Sequence, residues 1–199
     1  MPRPPAAGPN DRLEGRCLVS IIKKMKYKLW RHSHTPEEYA RRIGVNAGDD
    51  FHIYGEVVWS TEPWLITVGD NVHITDGVRF ETHDGGTLLF RKDVPDLEVT
   101  RPIVLGSNVY IGNCAIVMGG VTIGDNVVIG AGAVVTKDIP GDSVAVGVPA
   151  RVIETADEYL EKLKARSLHL GHLAWEEKDL ALKRHYGYTG SSRGIYEFM

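Results

Sequence analysis

Leu105-Gly106-Ser107-Asn108-Val109-Tyr110 is followed at once by Ile111-Gly112-Asn113-Cys114-Ala115-Ile116. The same grammar continues through Val117, Ile123, Ile129 and Val135, an apolar residue leading every sixth position. Four residues after each lead stands a small or β-branched residue: Val109, Ala115, Val121, Val127, Ala133 and Ile139. Gly106, Gly112, Gly124 and Gly130 directly follow their leads. A period of six matches neither the alternation of a strand nor the stripe of an amphipathic helix. It fits a short strand plus a corner, and three such units close one triangular coil of about 18 residues. Such a coil stacks Leu105 under Ile123, Ile111 under Ile129 and Val117 under Val135. Successive coils then pair as parallel strands, and ladders of apolar side chains fill the interior. Glycine, asparagine and aspartate belong at the corners, where tight bends and positive φ are cheap for them.

Outward from this stretch, the pattern also runs earlier, with Val68, Ile74 and Phe80 as leads and Val72 and Val78 as followers. From Phe80 to Leu105 the count is 25, not a multiple of six, so an insertion breaks the series. It opens Phe80-Glu81-Thr82-His83-Asp84-Gly85-Gly86 and returns at Arg101-Pro102-Ile103-Val104-Leu105-Gly106. A loop of about 20 residues inside a strict repeat is not needed for folding, and loops of that length are usually functional. His83 stands where regular coil gives way to this loop. Imidazole suits general-base work near neutral pH.

The flanks read as helix. Thr35-Pro36-Glu37-Glu38 supplies an N-cap, a proline at the first helical position and early acids, which predicts a helix to about Ile43. Cys17 to Trp30 mixes apolar residues with Lys23, Lys24, Lys26 and Lys28. Its apolar face packs against the first coil or a neighbouring subunit, or alternatively lies on a membrane surface. Ala156 to Arg166 and about Leu173 to His185 read as further helices that would cover the open edge of the last coil. The domain plan is thus a disordered tail at 1–10, a helical segment at 11–44, a coil domain at 45–153 with an inserted loop at 84–102, and a helical extension and tail at 154–199.

Composition is that of a soluble globular protein. Of 199 residues, 43% are hydrophobic and 25% charged, and the formal net charge of −3 gives no reason to expect nucleic acid. Cys17 and Cys114 stand far apart, which suits a reducing compartment better than a disulfide framework. No His/Cys spacing suggests a metal site. No apolar run reaches the roughly 20 residues of a membrane span. A cytoplasmic location is the expectation, with contact at the inner face of the membrane through residues 17–31 as the alternative reading of that segment.

The stretch from Pro63 to Ile153 resembles the hexapeptide-repeat O-acetyltransferases, a family of left-handed parallel β-helices. The run Gly124-Asp125-Asn126-Val127-Val128-Ile129-Gly130-Ala131-Gly132-Ala133-Val134-Val135-Thr136-Lys137-Asp138-Ile139-Pro140 carries the likeness, as does Gly147-Val148-Pro149-Ala150-Arg151-Val152-Ile153. Thr82-His83-Asp84-Gly85-Gly86, with Pro36-Glu37-Glu38-Tyr39-Ala40, looks closest to the capsular and lipopolysaccharide subgroup. The fold so implied has an all-β core, a left-handed parallel β-helix with N-terminal and C-terminal α-helical appendages. The handedness comes from the resemblance, since left-handed crossovers break the usual rule.

The resemblance implies acetyl-CoA as co-substrate, no metal, a homotrimer with active sites between subunits, and a sugar or glycan hydroxyl as acceptor. His83 matches the family's general base. Asn113 matches a corner whose backbone amide meets the thioester region. Ala131 matches a main-chain contact to the pantetheine arm. Thr136, Lys137 and Arg151 match residues near the nucleotide end, where Lys137 and Arg151 offer charge to phosphates. Glu62 and Asp84 are candidates to orient His83 or to bind a sugar hydroxyl. Trp64 offers a stacking face for a sugar, with core packing the stronger of its two readings. Asp93 and Arg91 are candidate acceptor contacts in the loop. Cys114 should point outward and is not read as a nucleophile. Two rival readings stay open. One is N-acetylation of a nucleotide-linked amino sugar; the other is a non-enzymatic scaffold.

Overall fold

The structure is a computed structural model that describes residues 34–190. The basic segment 17–31 and the tail at 1–10 lie outside the described residues. The chain divides into two units, residues 1–156 and 157–199.

The first unit opens with helix α1 (Pro36–Ile43). Thr35 and Glu38 form a reciprocal capping box, with Thr35 Oγ1 accepting from Glu38 N and Glu38 Oε2 accepting from Thr35 N at 2.9 Å. Gly44, at φ 112°, ends the helix in the left-handed region. Among the described residues thirteen short strands follow, distributed over three sheets that form the faces of a prism. The first sheet holds β1 (Asn46–Ala47), β3 (Ile66–Val68), β6 (Ile103–Leu105) and β9 (Thr122–Ile123). The second runs β2 (Phe51–Tyr54), β4 (Val72–Thr75), β7 (Val109–Ile111), β10 (Val127–Ile129), β12 (Ser143–Val146) and β13 (Arg151–Thr155). The third stacks β5 (Arg79–Glu81), β8 (Ile116–Met118) and β11 (Val134–Val135).

The register is the one the hexapeptide count demands: Leu105 faces Ile123, Ile111 faces Ile129 and Val117 faces Val135. The lead residues of every repeat point inward and are buried. Burying such a side chain stabilises by roughly 1.5–3 kcal/mol. Truncating one in the centre of a ladder, as in Ile111→Ala, costs about 2–5 kcal/mol because the neighbouring rungs cannot close the hole.

The corners carry their own ladder. Asn71, Asn108, Asn126 and Asp142 all sit at φ between 52° and 58°. Asn71 Nδ2 donates to Asn108 Oδ1 at 2.8 Å, Asn108 Nδ2 to Asn126 Oδ1 at 3.0 Å, and Asn126 Nδ2 to Asp142 Oδ1 at 2.8 Å. Short amide side chains tolerate this backbone region and satisfy one another along the stack.

Two features depart from the plain repeat. The first coil is longer, so that Phe51 pairs with Val72 and Val58 with Arg79. Trp59 seals it, stacking on Phe80 with centroids 5.0 Å apart and meeting Phe51 edge-on at 6.2 Å. At the other end β13 turns back antiparallel on β12, pairing Val146 with Arg151 and Ser143 with Thr155. Residues 151–155, read as the end of the coil domain and the start of a helical extension, are therefore one strand that pairs the outer edge of β12. Helix α2 (Ala156–Arg166) begins only after it. In the second unit, helix α3 (Trp175–His185) carries Glu176 and Glu177 in its first turn and Lys183, Arg184 and His185 in its last, as the helix dipole favours.

Candidate active site

The insertion leaves the prism at the corner after β5. Its root is closed by backbone pairing: Arg101 N donates to Thr82 O at 2.8 Å and Asp84 N donates to Val99 O at 2.9 Å. His83 and Thr100 face each other as an isolated antiparallel bridge. The main chain at His83 is thus held on both sides, although it stands at the mouth of a loop.

Its partner arrives from the preceding coil. Trp59 is anchored on Phe80, and Ser60, at φ 61°, bends the chain so that Glu62 comes back over Thr82 and His83. His83 Nδ1 lies 3.0 Å from Glu62 Oε2. The same oxygen accepts from Thr82 Oγ1 at 2.7 Å, and Oε1 accepts from Thr61 Oγ1 at 2.5 Å. Thr82 is 1% exposed, and its hydroxyl also lies 2.8 Å from Ser60 Oγ. Thr61 and Ser60 hydroxyls lie farther from Nδ1, at 3.3 and 3.4 Å. The hydrogen bonds from Thr61, then Thr82, and finally the contact with His83 hold the Glu62 carboxyl below the usual carboxylate range, against the opposing pull of burial. An ionised carboxylate only accepts, so the hydrogen shared with His83 belongs to Nδ1. The lone pair is then on Nε2, the nitrogen not engaged with Glu62.

His83 lines a cavity of about 280 Å³ with Glu81, Thr82, Asp84, Val99, Arg101, Met118 and Gly119. Glycine is required at position 119, because a Cβ there would lie 2.7 Å from Thr82 O.

The remaining expected residues fall in several places. Thr136 and Lys137 leave β11 at the same corner where Met118-Gly119 leaves β8 and Thr82-His83 leaves β5, so they share the His83 edge. Asn113 and Ala131 belong to a different edge, between the second and third sheets; Gly132 N donates to Asn113 O at 2.8 Å across one rung. Arg151 opens β13 opposite Val146. A single chain therefore does not bring Asn113 or Ala131 to His83. Asp84 Oδ1 accepts from Gly86 N at 2.8 Å and caps the short turn Gly85–Leu89. Arg91 donates to Leu97 O at 3.1 Å and to Glu98, tying the loop to itself. Asp93 is exposed on that loop. Trp64 corrects its stronger reading: it is 63% exposed, not in the core. It follows Pro63 on a short turn and packs its Cβ by Gly44, and it does not line the His83 cavity. Cys114 is exposed, as expected. Among the described residues no group of His, Cys, Asp and Glu side chains could hold a metal, and no helix is long and apolar enough to cross a membrane.

Ser60, Thr61 and Arg101 were not singled out by sequence reasoning. Ser60 and Thr61 stand 22 to 23 residues from their partners in the network. Only the long first coil brings them there, and its spacing is outside the hexapeptide count.

Comparison with known proteins places this geometry. The bacterial transferase hexapeptide (six repeats) family matches residues 102–137. Protein CapG of Staphylococcus aureus is 40% identical over 163 residues, covering 81% of this chain and 94% of that protein. The galactoside O-acetyltransferase of Escherichia coli is 35% identical, covering 75% of this chain and 81% of that protein. The crystal structure of a hexapeptide-repeat-containing acetyltransferase from Vibrio cholerae superposes with a TM-score of 0.53 at 26% identity, covering 72% of this chain and 93% of that one. The prism of parallel strands, the interrupted repeat and these relatives lead to one conclusion: the chain belongs to the hexapeptide-repeat acetyltransferase family and is an acyltransferase.

Proposed function

We propose that this chain transfers an acetyl group from acetyl-CoA to a hydroxyl of a sugar or glycan precursor, with His83 as general base. The observation that carries the reading is the Glu62–His83 contact, which puts the proton on Nδ1 and frees Nε2 for an incoming hydroxyl. An alcohol is a poor nucleophile, so a positioned base is what O-acylation needs and what amine acylation needs less.

In this reaction His83 Nε2 takes the acceptor's hydroxyl proton as the oxygen attacks the thioester carbonyl, and later returns a proton to the departing thiolate. Glu62 stabilises the imidazolium that forms between the two steps. Backbone N–H groups at the corner of Asn113 receive the charge that develops on the carbonyl oxygen. No acyl-enzyme is required.

The residues suit acetyl-CoA. Lys137 is exposed and its ammonium has no partner among the described residues, which leaves its charge for a phosphate. It stands two rungs along the edge from Thr82-His83, about 10 Å at the strand spacing of roughly 4.8 Å. A long pantetheine arm can lie along such an edge, with Ala131 and Thr136 beside it and Arg151 near the nucleotide end. Because Asn113 and Ala131 lie on another edge from His83, a complete site takes one edge from each of two chains. A homotrimer supplies three such pairs.

The test is His83→Ala in a thiol-release assay with acetyl-CoA and a panel of sugars. Turnover with hydroxyl acceptors should fall by roughly 10²- to 10⁴-fold while CoA binding is retained. Turnover equal to that of the unaltered chain would remove His83 as the base. Release with amino sugars alone would make the enzyme an N-acetyltransferase.

A further inference from the structure

The cavity around His83 is lined by three charged side chains besides the imidazole, and two of them are committed. Glu81 is paired with Arg79, whose Nη2 and Nε lie 3.0 and 3.2 Å from Glu81 Oε1. Asp84 is spent on capping Gly86. Glu62, just behind His83, takes three donors. Arg101 is different: its side chain lines the cavity, and no hydrogen bond or ion pair engages its guanidinium among the described residues.

Its placement is built into the backbone. Arg101 N is bonded to Thr82 O, one residue from His83. Its stem lies against Gly120. A Cβ at Gly120 would sit 2.9 Å from Arg101 Cδ and 3.6 Å from Nη1, and Gly120 itself is at φ 89°. Gly120 therefore clears a bed for the arginine beside the proposed base. A guanidinium presents a rigid fork of donors that matches carboxylate and phosphate oxygens in a bidentate way.

We propose that Arg101 recognises an anionic group, a carboxylate or a phosphate, carried by the acceptor sugar close to the hydroxyl that is acetylated. The proposal rests on the reading of His83 as the base for O-acetylation. The anion belongs to the acceptor and not to the nucleotide end of CoA for a geometric reason. Arg101 shares the cavity of His83, where the acceptor hydroxyl must lie for its proton to be taken, whereas the pantetheine arm separates the CoA phosphates from the reacting thioester. Arg101 thereby narrows the acceptor class to acidic sugars or sugar phosphates.

Calorimetry tests this without acetyl-CoA, so binding is read independently of turnover. The probes are a neutral hexoside, the matching uronic acid and the matching sugar phosphate, titrated into the full chain and into Arg101→Gln and Arg101→Lys. The unaltered chain should bind one acidic probe roughly 10- to 100-fold tighter than the neutral one, the range of a charge-assisted contact. Arg101→Gln should abolish that preference with neutral binding unchanged, and Arg101→Lys should keep part of it. Tighter binding of the uronic acid assigns a carboxylate; tighter binding of the sugar phosphate assigns a phosphate. Equal affinity for all three probes, a preference that survives Arg101→Gln, or, in a separate titration, loss of acetyl-CoA affinity in Arg101→Gln would overturn the assignment. Acetyl transfer to the neutral hexoside, assayed in parallel, reports on the base separately. Transfer without any anion preference removes Arg101 from recognition and leaves His83 in place.

Discussion

Glu62 meets His83 at 3.0 Å while two hydroxyls share its carboxylate. Replacing that acceptor by an amide changes the logic of the pair. In Glu62→Gln the side chain can donate as well as accept, so Nδ1 loses its fixed hydrogen and Nε2 its fixed lone pair. We expect turnover to fall by roughly 10- to 100-fold, with the KM for acetyl-CoA unchanged, when both are read from initial rates. An equal loss of CoA affinity would mean that Glu62 shapes the pocket and does not position the base. The carboxyl is held below its ordinary 4.5 by Thr61, Thr82 and His83. Its contribution to stability is therefore present above about pH 4.5 and lost as pH falls through the lowered folded value. Much of this site was legible in residues: His83 stood out because it ends a regular coil. Glu62 was legible only as one of two candidates. Asp84, adjacent to His83 in sequence, proved to cap its own turn, while Glu62, 21 residues away, proved to be the partner. Sequence proximity misled because side chains meet across rungs, not along the chain.

At the scale of elements, the hexapeptide leads gave strand, corner and register together, since one apolar ladder can only be filled in one register. The first coil was not legible. It advances by 21 residues and is sealed by Trp59 and Phe51, so it leaves no period of six. The second sheet also carries an outward arrangement that the leads do not announce. Tyr54 Oη lies 2.9 Å from His73 Nδ1, His73 Nε2 lies 3.1 Å from Asn71 Oδ1, and His52 stacks on His73 at 5.0 Å. Burial, and then the charge of His52, hold the His73 imidazole below its ordinary 6.5. The unfolded chain therefore takes up this proton at higher pH than the folded one. Thermal stability should fall as pH drops from about 6.5 toward the lowered folded value, then level off for this group. His73→Gln should flatten that part of a Tm-against-pH curve; a curve of unchanged slope would detach His73 from it.

At the scale of the whole molecule, His83 and Thr136-Lys137 share one edge of the prism and Asn113-Ala131 another, so the site as proposed requires two chains. Complementation checks this. His83→Ala and Ala131→Trp each disable one edge, and each chain alone should be inactive. Trimers co-refolded from equal amounts should regain roughly a quarter of the sites, since random assembly pairs two intact edges that often. Mixtures as inactive as either parent would place the whole site on one chain. The most direct measurement is thiol release from acetyl-CoA with a hydroxyl sugar acceptor, by the unaltered chain and by His83→Gln, with folding of both verified. Steady release by the first and a loss of roughly 10²-fold or more in the second is the expected result. Equal release by both, or release only when the acceptor carries a free amine, would contradict base-assisted O-acetylation at His83.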